Sequence, residues 1–202
     1  MPPRMSIANI ITLSRLPLLM LVAWLLSLNS PLTAFAALGL LPVLYLMDWF
    51  DGFYARYKNQ VTDLGGVLDI AIDRVVENAL WIVFASQDQV AVWVPLIFIT
   101  RSFVIDGLRS YALARGQSAF GMMHSPLGRF LVAGRLMRGL YGLAKGAAFC
   151  GLAWSLGLAR MMADPSLWGW VPAASEILVY LSVFLCIIRA IPVVLDIRAL
   201  LE

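Results

Sequence analysis

The chain has 202 residues, of which 61% are hydrophobic and only 13% are charged. Its mean hydropathy of +0.85 lies above the range of soluble domains, so the composition predicts an all-α integral membrane protein and excludes an ordinary water-soluble enzyme. The basic residues behind the net charge of +3 border apolar runs instead of forming one tract, so no nucleic-acid partner is expected.

Six apolar segments predict six transmembrane helices in one domain that covers residues 1–202, with a short interfacial segment at residues 1–8. The first apolar run is too long for a signal peptide, contains Arg15 and lacks a small-residue cleavage site, so we interpret it as a spanning helix. The six helices are predicted at about residues 10–28, 32–56, 64–86, 92–113, 127–158 and 174–195. Pro192 is expected to loosen the end of the last helix.

Basic residues are concentrated on the side of the membrane that holds the N-terminus. The opposite loops offer only Arg160. The positive-inside rule therefore predicts that both termini are cytoplasmic. The basic residues on the N-terminal side are Arg4, Arg15, Arg56, Lys58, Arg109, Arg115, Arg129 and Arg198.

Four aspartates lie inside this apolar sequence, near the predicted cytoplasmic face. Asp48 and Asp51 stand three residues apart on the second helix, and Asp69 and Asp73 stand four residues apart on the third, so each pair lies on one helix face. Ionised carboxylates near lipid need compensating charge. Oxygen ligands of this kind suit magnesium, manganese or calcium, and the chain offers no chelating His or Cys set for zinc or copper.

An alternative is that Asp48 and Asp51 form structural ion pairs with Arg56 and Arg74. Glu77 either extends the polar face of Asp73 or pairs with Arg74. Arginines alone rarely justify four acids within a membrane, so we favour the metal site.

The aspartates belong to a longer pattern, Asp-x-x-Asp-Gly-x-x-Ala-Arg, eight residues, then Gly-x-x-x-Asp-x-x-x-Asp, over residues 48–73. This pattern resembles the signature of the CDP-alcohol phosphotransferase family, and every fixed position is met. Asn9, Thr12 and Arg15 also resemble an N-terminal pattern of bacterial phospholipid synthases in that family. The resemblance implies an enzyme of the bacterial inner membrane that transfers a phosphatidyl group from a CDP-linked donor to an alcohol and releases CMP.

The resemblance also implies roles for individual residues. Asp48, Asp51 and Asp69 would be ligands of two magnesium or manganese ions. Asp73 would be a further ligand and the general base for the acceptor hydroxyl, on the cytoplasmic side. The nucleotide of CDP-diacylglycerol would contact Asp48, Gly52, Ala55, Arg56 and Gly65.

A second basic group suggests a phosphorylated acceptor, because guanidinium groups suit phosphate. It consists of Arg101, Arg109, Arg135 and Arg138. Anchoring of helix ends by snorkelling is the alternative, chiefly for Arg115 and Arg129. Residues 101–109 are similar to a stretch of bacterial phosphatidylglycerophosphate synthases but carry Ser102 where those enzymes have Glu, and residues 69–74 lack their Pro and Lys.

Glycerol 3-phosphate is therefore the first choice of acceptor. Phosphatidylinositol-phosphate, cardiolipin or phosphatidylserine synthesis are alternatives within the family, and a homodimer is compatible with the sequence. A cation transporter that uses the aspartates is an alternative of another class, although transporters place such sites near the midplane in interrupted helices.

Overall fold

The computed structural model describes residues 7–57, 63–114, 128–161 and 164–201. These residues form helices joined by turns, so the predicted all-α class is confirmed for the described chain. The helices are α1 (Ile7–Ser27), α2 (Pro31–Tyr57), α3 (Asp63–Ser86), α4 (Trp93–Ala114), a π-helical turn (Arg129–Ala133), α5 (Arg135–Arg160), α6 (Pro165–Trp168) and α7 (Trp170–Leu201).

Four of the described helices are long and apolar enough to cross a membrane, where the sequence predicted six. These segments are Asn9–Ser27, Pro31–Phe50, Leu136–Arg160 and Trp170–Asp196. The helices α3 and α4 fall outside this group because charged residues lie along their middle, among them Asp69, Asp73, Arg101 and Arg109. The predicted interfacial segment lies mostly outside the described residues, as does the loop at residues 115–127.

The fifth predicted helix is interrupted at Gly134, so the prediction of one continuous helix over residues 127–158 is wrong. Gly134 has φ −59° and ψ 129°, an extended conformation between the π-helical turn and α5. An ideal Cβ at Gly134 would lie 2.2 Å from the carbonyl oxygen of Phe130, so a larger residue does not fit. The Gly134 carbonyl then accepts a hydrogen bond from the backbone N–H of Arg138 at 3.2 Å, which starts α5.

The C-terminal region contains more helix than the sequence predicted. The predicted loop near Asp164 includes the short helix α6, and α7 begins at Trp170 and continues beyond Pro192 to Leu201. Proline removes one backbone hydrogen bond from a helix, a loss that neighbouring helices can compensate in membrane proteins. Pro192 therefore lies within α7 without ending it.

By their contacts the described residues divide into two compact units, and each has its own core. The first comprises Met1–Ala91 with Phe149–Pro172. Here α1 packs against α2 and α3. The Phe149 ring lies 4.5 Å from Trp81 and 5.8 Å from Phe84 between centroids, so these rings fix α5 against α3.

The second unit comprises Val92–Ala148 with Ala173–Glu202. Its described core consists of Ile105, Leu131, Val132 and Val193. Between α4 and α7 lies an apolar groove of about 580 Å³, with Arg101 on its wall. The predicted single domain stays a prediction.

Candidate active site

Two helices of the first unit bring three of the four predicted aspartates together. Asp48 comes from α2, and Asp69 and Asp73 come from successive turns of α3. One carboxylate oxygen from each residue lies within 4.8 Å of the other two. The prediction that the two helices present their acids to a common point is confirmed for these three residues.

The remaining residues of the predicted metal and nucleotide set lie on the expected elements. Asp51, Gly52, Ala55 and Arg56 belong to α2, but their side chains lie outside the described part of the structure. Gly65 lies in the first turn of α3, as predicted, and the structure shows that it is half-buried. The ligand role of Asp51 and the nucleotide contacts stay predictions.

A buried arginine from α1 lies among the three carboxylates. The Arg15 side chain is 2% exposed, and its Nη1 donates a hydrogen bond to Asp48 Oδ1 at 2.6 Å. Its Nη2 donates to Asp73 Oδ1 at 2.9 Å, and Nη1 lies 3.9 Å from Asp69 Oδ1. One guanidinium group therefore contacts both helices that carry the acids.

Arg15 was not among the predicted site residues, although the sequence of α1 contains a signal for it. Asn9, Thr12 and Arg15 follow one another at intervals of three residues, which places them on one side of α1. All three are buried in the structure. Buried polar residues at helical spacing in an apolar helix indicate a polar contact, and for Arg15 that contact is the aspartate cluster.

Among the described side chains Asp48 pairs with Arg15 and not with Arg74, and the pairings suggested for Asp51 and Arg56 stay predictions because those side chains lie outside the described residues. The guanidinium that neutralises Asp48 is that of Arg15, from a different helix. Arg74 Nη1 instead donates to Glu77 Oε2 at 2.9 Å, and Glu77 is buried. The predicted pair between Arg74 and Glu77 is confirmed.

The donor set of the cluster fits a hard divalent cation. The side chains of Asp48, Asp69 and Asp73 are 37%, 47% and 43% exposed, so an ion can reach them. Each carboxylate has two oxygens, and the bonds from Arg15 use one oxygen of Asp48 and one of Asp73. Three carboxylates and one guanidinium leave a formal charge of minus two, which one divalent ion neutralises.

The arginines predicted to bind the acceptor have different environments. Arg101 is buried, and its guanidinium carbon lies 6.0 Å from the centre of the Tyr141 ring. Arg109 Nη1 lies 3.6 Å from Asp106 Oδ1 on the same helix. The Arg138 side chain is exposed on α5. The Arg135 side chain lies outside the described residues.

Two other cations approach the same tyrosine ring, and the sequence analysis missed both. Lys145 Nζ lies 4.2 Å and the Arg189 guanidinium carbon 5.0 Å from the Tyr141 centroid. Arg189 is buried on α7 and donates to the Met137 carbonyl at 2.8 Å. An ionisable residue within an apolar helix was the available signal for Arg189.

Comparison with known proteins places this geometry in a family. Residues 5–195 match the profile of the family described as CDP-alcohol phosphatidyltransferase. The chain is 36% identical over 70 residues to the protein of Bacillus subtilis (strain 168) named CDP-diacylglycerol--glycerol-3-phosphate 3-phosphatidyltransferase, across 35% of this chain and 36% of that protein.

Two further relatives have the same name. The protein of Rickettsia bellii (strain RML369-C) is 27% identical over 106 residues, which cover 52% of this chain and 59% of the relative. The protein of Escherichia coli (strain K12) is 35% identical over 118 residues, which cover 55% and 63%. The chain thus spans less than two thirds of the length of these relatives, whereas the family profile matches it almost throughout. On the evidence of that match and of the clustered signature aspartates, the chain belongs to the CDP-alcohol phosphatidyltransferase family.

Proposed function

We propose that the protein transfers the phosphatidyl group of CDP-diacylglycerol to glycerol 3-phosphate in phospholipid biosynthesis. The observation that carries this proposal is the cluster of Asp48, Asp69 and Asp73, which gathers the family's signature acids within 4.8 Å. The names of the Bacillus, Rickettsia and Escherichia relatives support the choice of donor and acceptor.

In the proposed reaction an acceptor hydroxyl oxygen attacks the phosphorus that bears the diacylglycerol. A new P–O bond forms, the diphosphate P–O bond breaks, and CMP leaves with the bonding electron pair. The hydroxyl proton passes to the Asp73 carboxylate, which is the general base. The products are a phosphatidylated glycerol phosphate, CMP and one proton.

The aspartates are also the proposed metal ligands. Asp48, Asp51, Asp69 and Asp73 would hold two magnesium or manganese ions, whose positive charge neutralises the diphosphate when they are bound. Gly52, Ala55 and Gly65 leave space for the nucleotide because they have small or no side chains. Arg56 contributes a contact to phosphate.

We place the site at the cytoplasmic face of a bacterial inner membrane. In this arrangement α3 and α4 also cross the bilayer, which gives six spans, and their charged residues face the protein interior. Both termini are cytoplasmic, in agreement with the positive-inside rule, and a homodimer is compatible with this arrangement.

We assign the acceptor phosphate to the second basic group of the sequence. The candidates are Arg101, Arg109, Arg135 and Arg138. Arg101 supports the assignment best, because it is buried and its Nε and Nη1 have no hydrogen-bond partner among the described residues. A buried guanidinium with unused donors favours an anionic ligand over simple membrane anchoring.

A transfer assay tests the proposal. Purified protein in detergent would receive CDP-diacylglycerol labelled in its lipid part, Mg²⁺, and in separate reactions glycerol 3-phosphate, inositol phosphate, free inositol, serine or phosphatidylglycerol. We expect CMP release and labelled product chiefly with glycerol 3-phosphate, and a higher KM for it in Arg101→Gln. Product from another acceptor alone would contradict the acceptor assignment, and no CMP release with any of them would contradict the transferase.

A further inference from the structure

The position of Arg15 leads to an inference that rests on the proposed metal-dependent function. We propose that Arg15 is an internal cation that competes with the divalent ion for Asp48 and Asp73. In the absence of metal it neutralises part of the cluster and keeps the carboxylates together. When the metal binds, the hydrogen bonds that Arg15 donates to Asp48 and Asp73 are broken.

The geometry supports direct competition. Arg15 donates to Asp48 at 2.6 Å and to Asp73 at 2.9 Å, and these acceptor residues belong to the group whose oxygens lie within 4.8 Å of one another. Its Nη1 is also 3.9 Å from Asp69. A cation bound by all three acids would therefore lie close to the guanidinium, and both would draw on the same oxygens.

Burial explains why Arg15 stays beside the cluster. The side chain is 2% exposed, so the guanidinium has almost no access to water, and an unpaired charge there would be strongly unfavourable. Arginine also remains protonated in proteins, which makes it a permanent positive charge at this position. The carboxylates, in contrast, are more than one third exposed and can accept an ion from outside.

Competition and simple structural support predict opposite effects of removing the charge. If Arg15 competes, its removal eliminates repulsion between two cations and strengthens metal binding. A unit charge about 4 Å from a divalent ion changes its affinity by at least about tenfold, even in a water-like dielectric. If Arg15 only held the acids in place, its removal would let the like-charged carboxylates separate and would weaken metal binding.

The test measures Mn²⁺ affinity of the full-length protein in detergent by electron paramagnetic resonance, without substrates. We expect Arg15→Gln to bind Mn²⁺ at least about tenfold more tightly than wild type. Its melting temperature should fall in EDTA and rise more on Mn²⁺ addition than that of wild type. Arg160→Gln is the matched control, because Arg160 contacts Leu26 and Gln87 instead of the cluster. This control should bind Mn²⁺ as wild type does.

The outcomes separate the two proposals. If wild type binds Mn²⁺ and folded Arg15→Gln binds it equally or more weakly, the proposed competition by Arg15 is overturned. The proposed metal-dependent function is not affected by that result. Absence of binding in both proteins contradicts the metal-dependent transferase as well.

A second measurement follows the wild-type protein, with Arg15→Lys used only to assign the signal, in case Arg15→Gln does not fold. In arginine side-chain ¹⁵N NMR spectra, the signal of Arg15, assigned by its loss in Arg15→Lys, should shift on Mg²⁺ addition. A signal that does not respond to saturating Mg²⁺ overturns the competition.

Discussion

At the scale of single residues, the site balances one buried guanidinium against three partly exposed carboxylates. Arg15 lies 2.6 Å from Asp48 and 2.9 Å from Asp73, so two helices with like charges can approach each other. Without this countercharge, repulsion among the acids would oppose the packing of α2 against α3. The remaining negative charge is what attracts a divalent ion.

Removal of a proposed metal ligand should abolish transfer. Asp48→Asn and Asp69→Asn keep the shape of the side chain but lose one negative charge each, and the amide is a poorer ligand for a hard cation. We expect CMP release to fall to background in both variants, and in wild type treated with EDTA until Mg²⁺ or Mn²⁺ is restored. Full turnover of wild type in excess chelator would contradict this prediction.

Asp73 should have a different phenotype, because we assign it proton transfer as well as metal binding. In Asp73→Asn the amide cannot accept the hydroxyl proton, and loss of a general base lowers turnover by about 10²–10⁴-fold. CDP-diacylglycerol affinity, measured by calorimetry, should be nearly preserved. Near-normal turnover would exclude Asp73 as the base, whereas lost donor affinity would indicate that it acts mainly as a ligand.

At the scale of helices, close packing in the first unit holds α5 against α2. An ideal Cβ at Gly157 of α5 would lie 2.9 Å from ring carbons of Phe35 on α2. The Phe35 ring is rigid and can turn aside only as a whole, so a side chain at position 157 would push the two helices apart. Glycine at this position allows α5 to lie close to Phe35 of α2. The same α5 contributes Phe149 to the aromatic cluster with Trp81 and Phe84.

This contact predicts opposite effects of two glycine substitutions on α5. Gly157→Ala should destabilise the protein by about 1–3 kcal/mol through overpacking against Phe35. Gly142→Ala is the control, because an added Cβ there meets nothing within 4 Å among the described residues, and alanine favours helix. Thermal unfolding in detergent measures both. If Phe35→Leu fails to restore the stability of Gly157→Ala, another contact is responsible.

At the scale of the whole molecule, two consecutive helices that carry charge along their length stand between two pairs of more apolar helices in the order of the chain. The four candidate spans lie in α1, α2, α5 and α7, whereas α3 and α4 contain Asp69, Asp73, Arg101 and Arg109, which we connect with metal and substrate binding. A membrane enzyme for a lipid donor and a water-soluble acceptor needs both kinds of surface. Charges inside a bilayer are retained where they have such a role.

The proposed six spans predict the location of two points on the chain. Alkaline phosphatase fused after Asp88, in the turn between α3 and α4, should be active in a bacterial host because this turn would be periplasmic. Green fluorescent protein fused after Glu202 should fluoresce because that end would be cytoplasmic. Inactive phosphatase at Asp88 would indicate that the first three helices do not cross the membrane three times.

The sequence by itself determined the helical class and the place of the aspartate cluster. Apolar runs of membrane-spanning length predict helices because lipid leaves backbone polar groups no other partner. The intervals of three and four residues at Asp48, Asp51, Asp69 and Asp73 place each pair on one helix face, and the structure brings the three described acids together. Such information is local, since helical periodicity follows from the backbone alone.

Only the tertiary structure decided which residues from distant parts of the chain meet. Arg15 joins acids that follow it by 33 and 58 positions, and no periodicity within one helix encodes this contact. Likewise, Arg189 of α7 approaches the Tyr141 ring of α5 because these two helices pack in one particular rotation. The break at Gly134 depends on the Phe130 carbonyl, an effect of local geometry that composition does not reveal. Contacts between helices depend on how side chains of different helices fit together in three dimensions. The periodicity of each helix shows which residues share a face, but it does not show which face of another helix they meet.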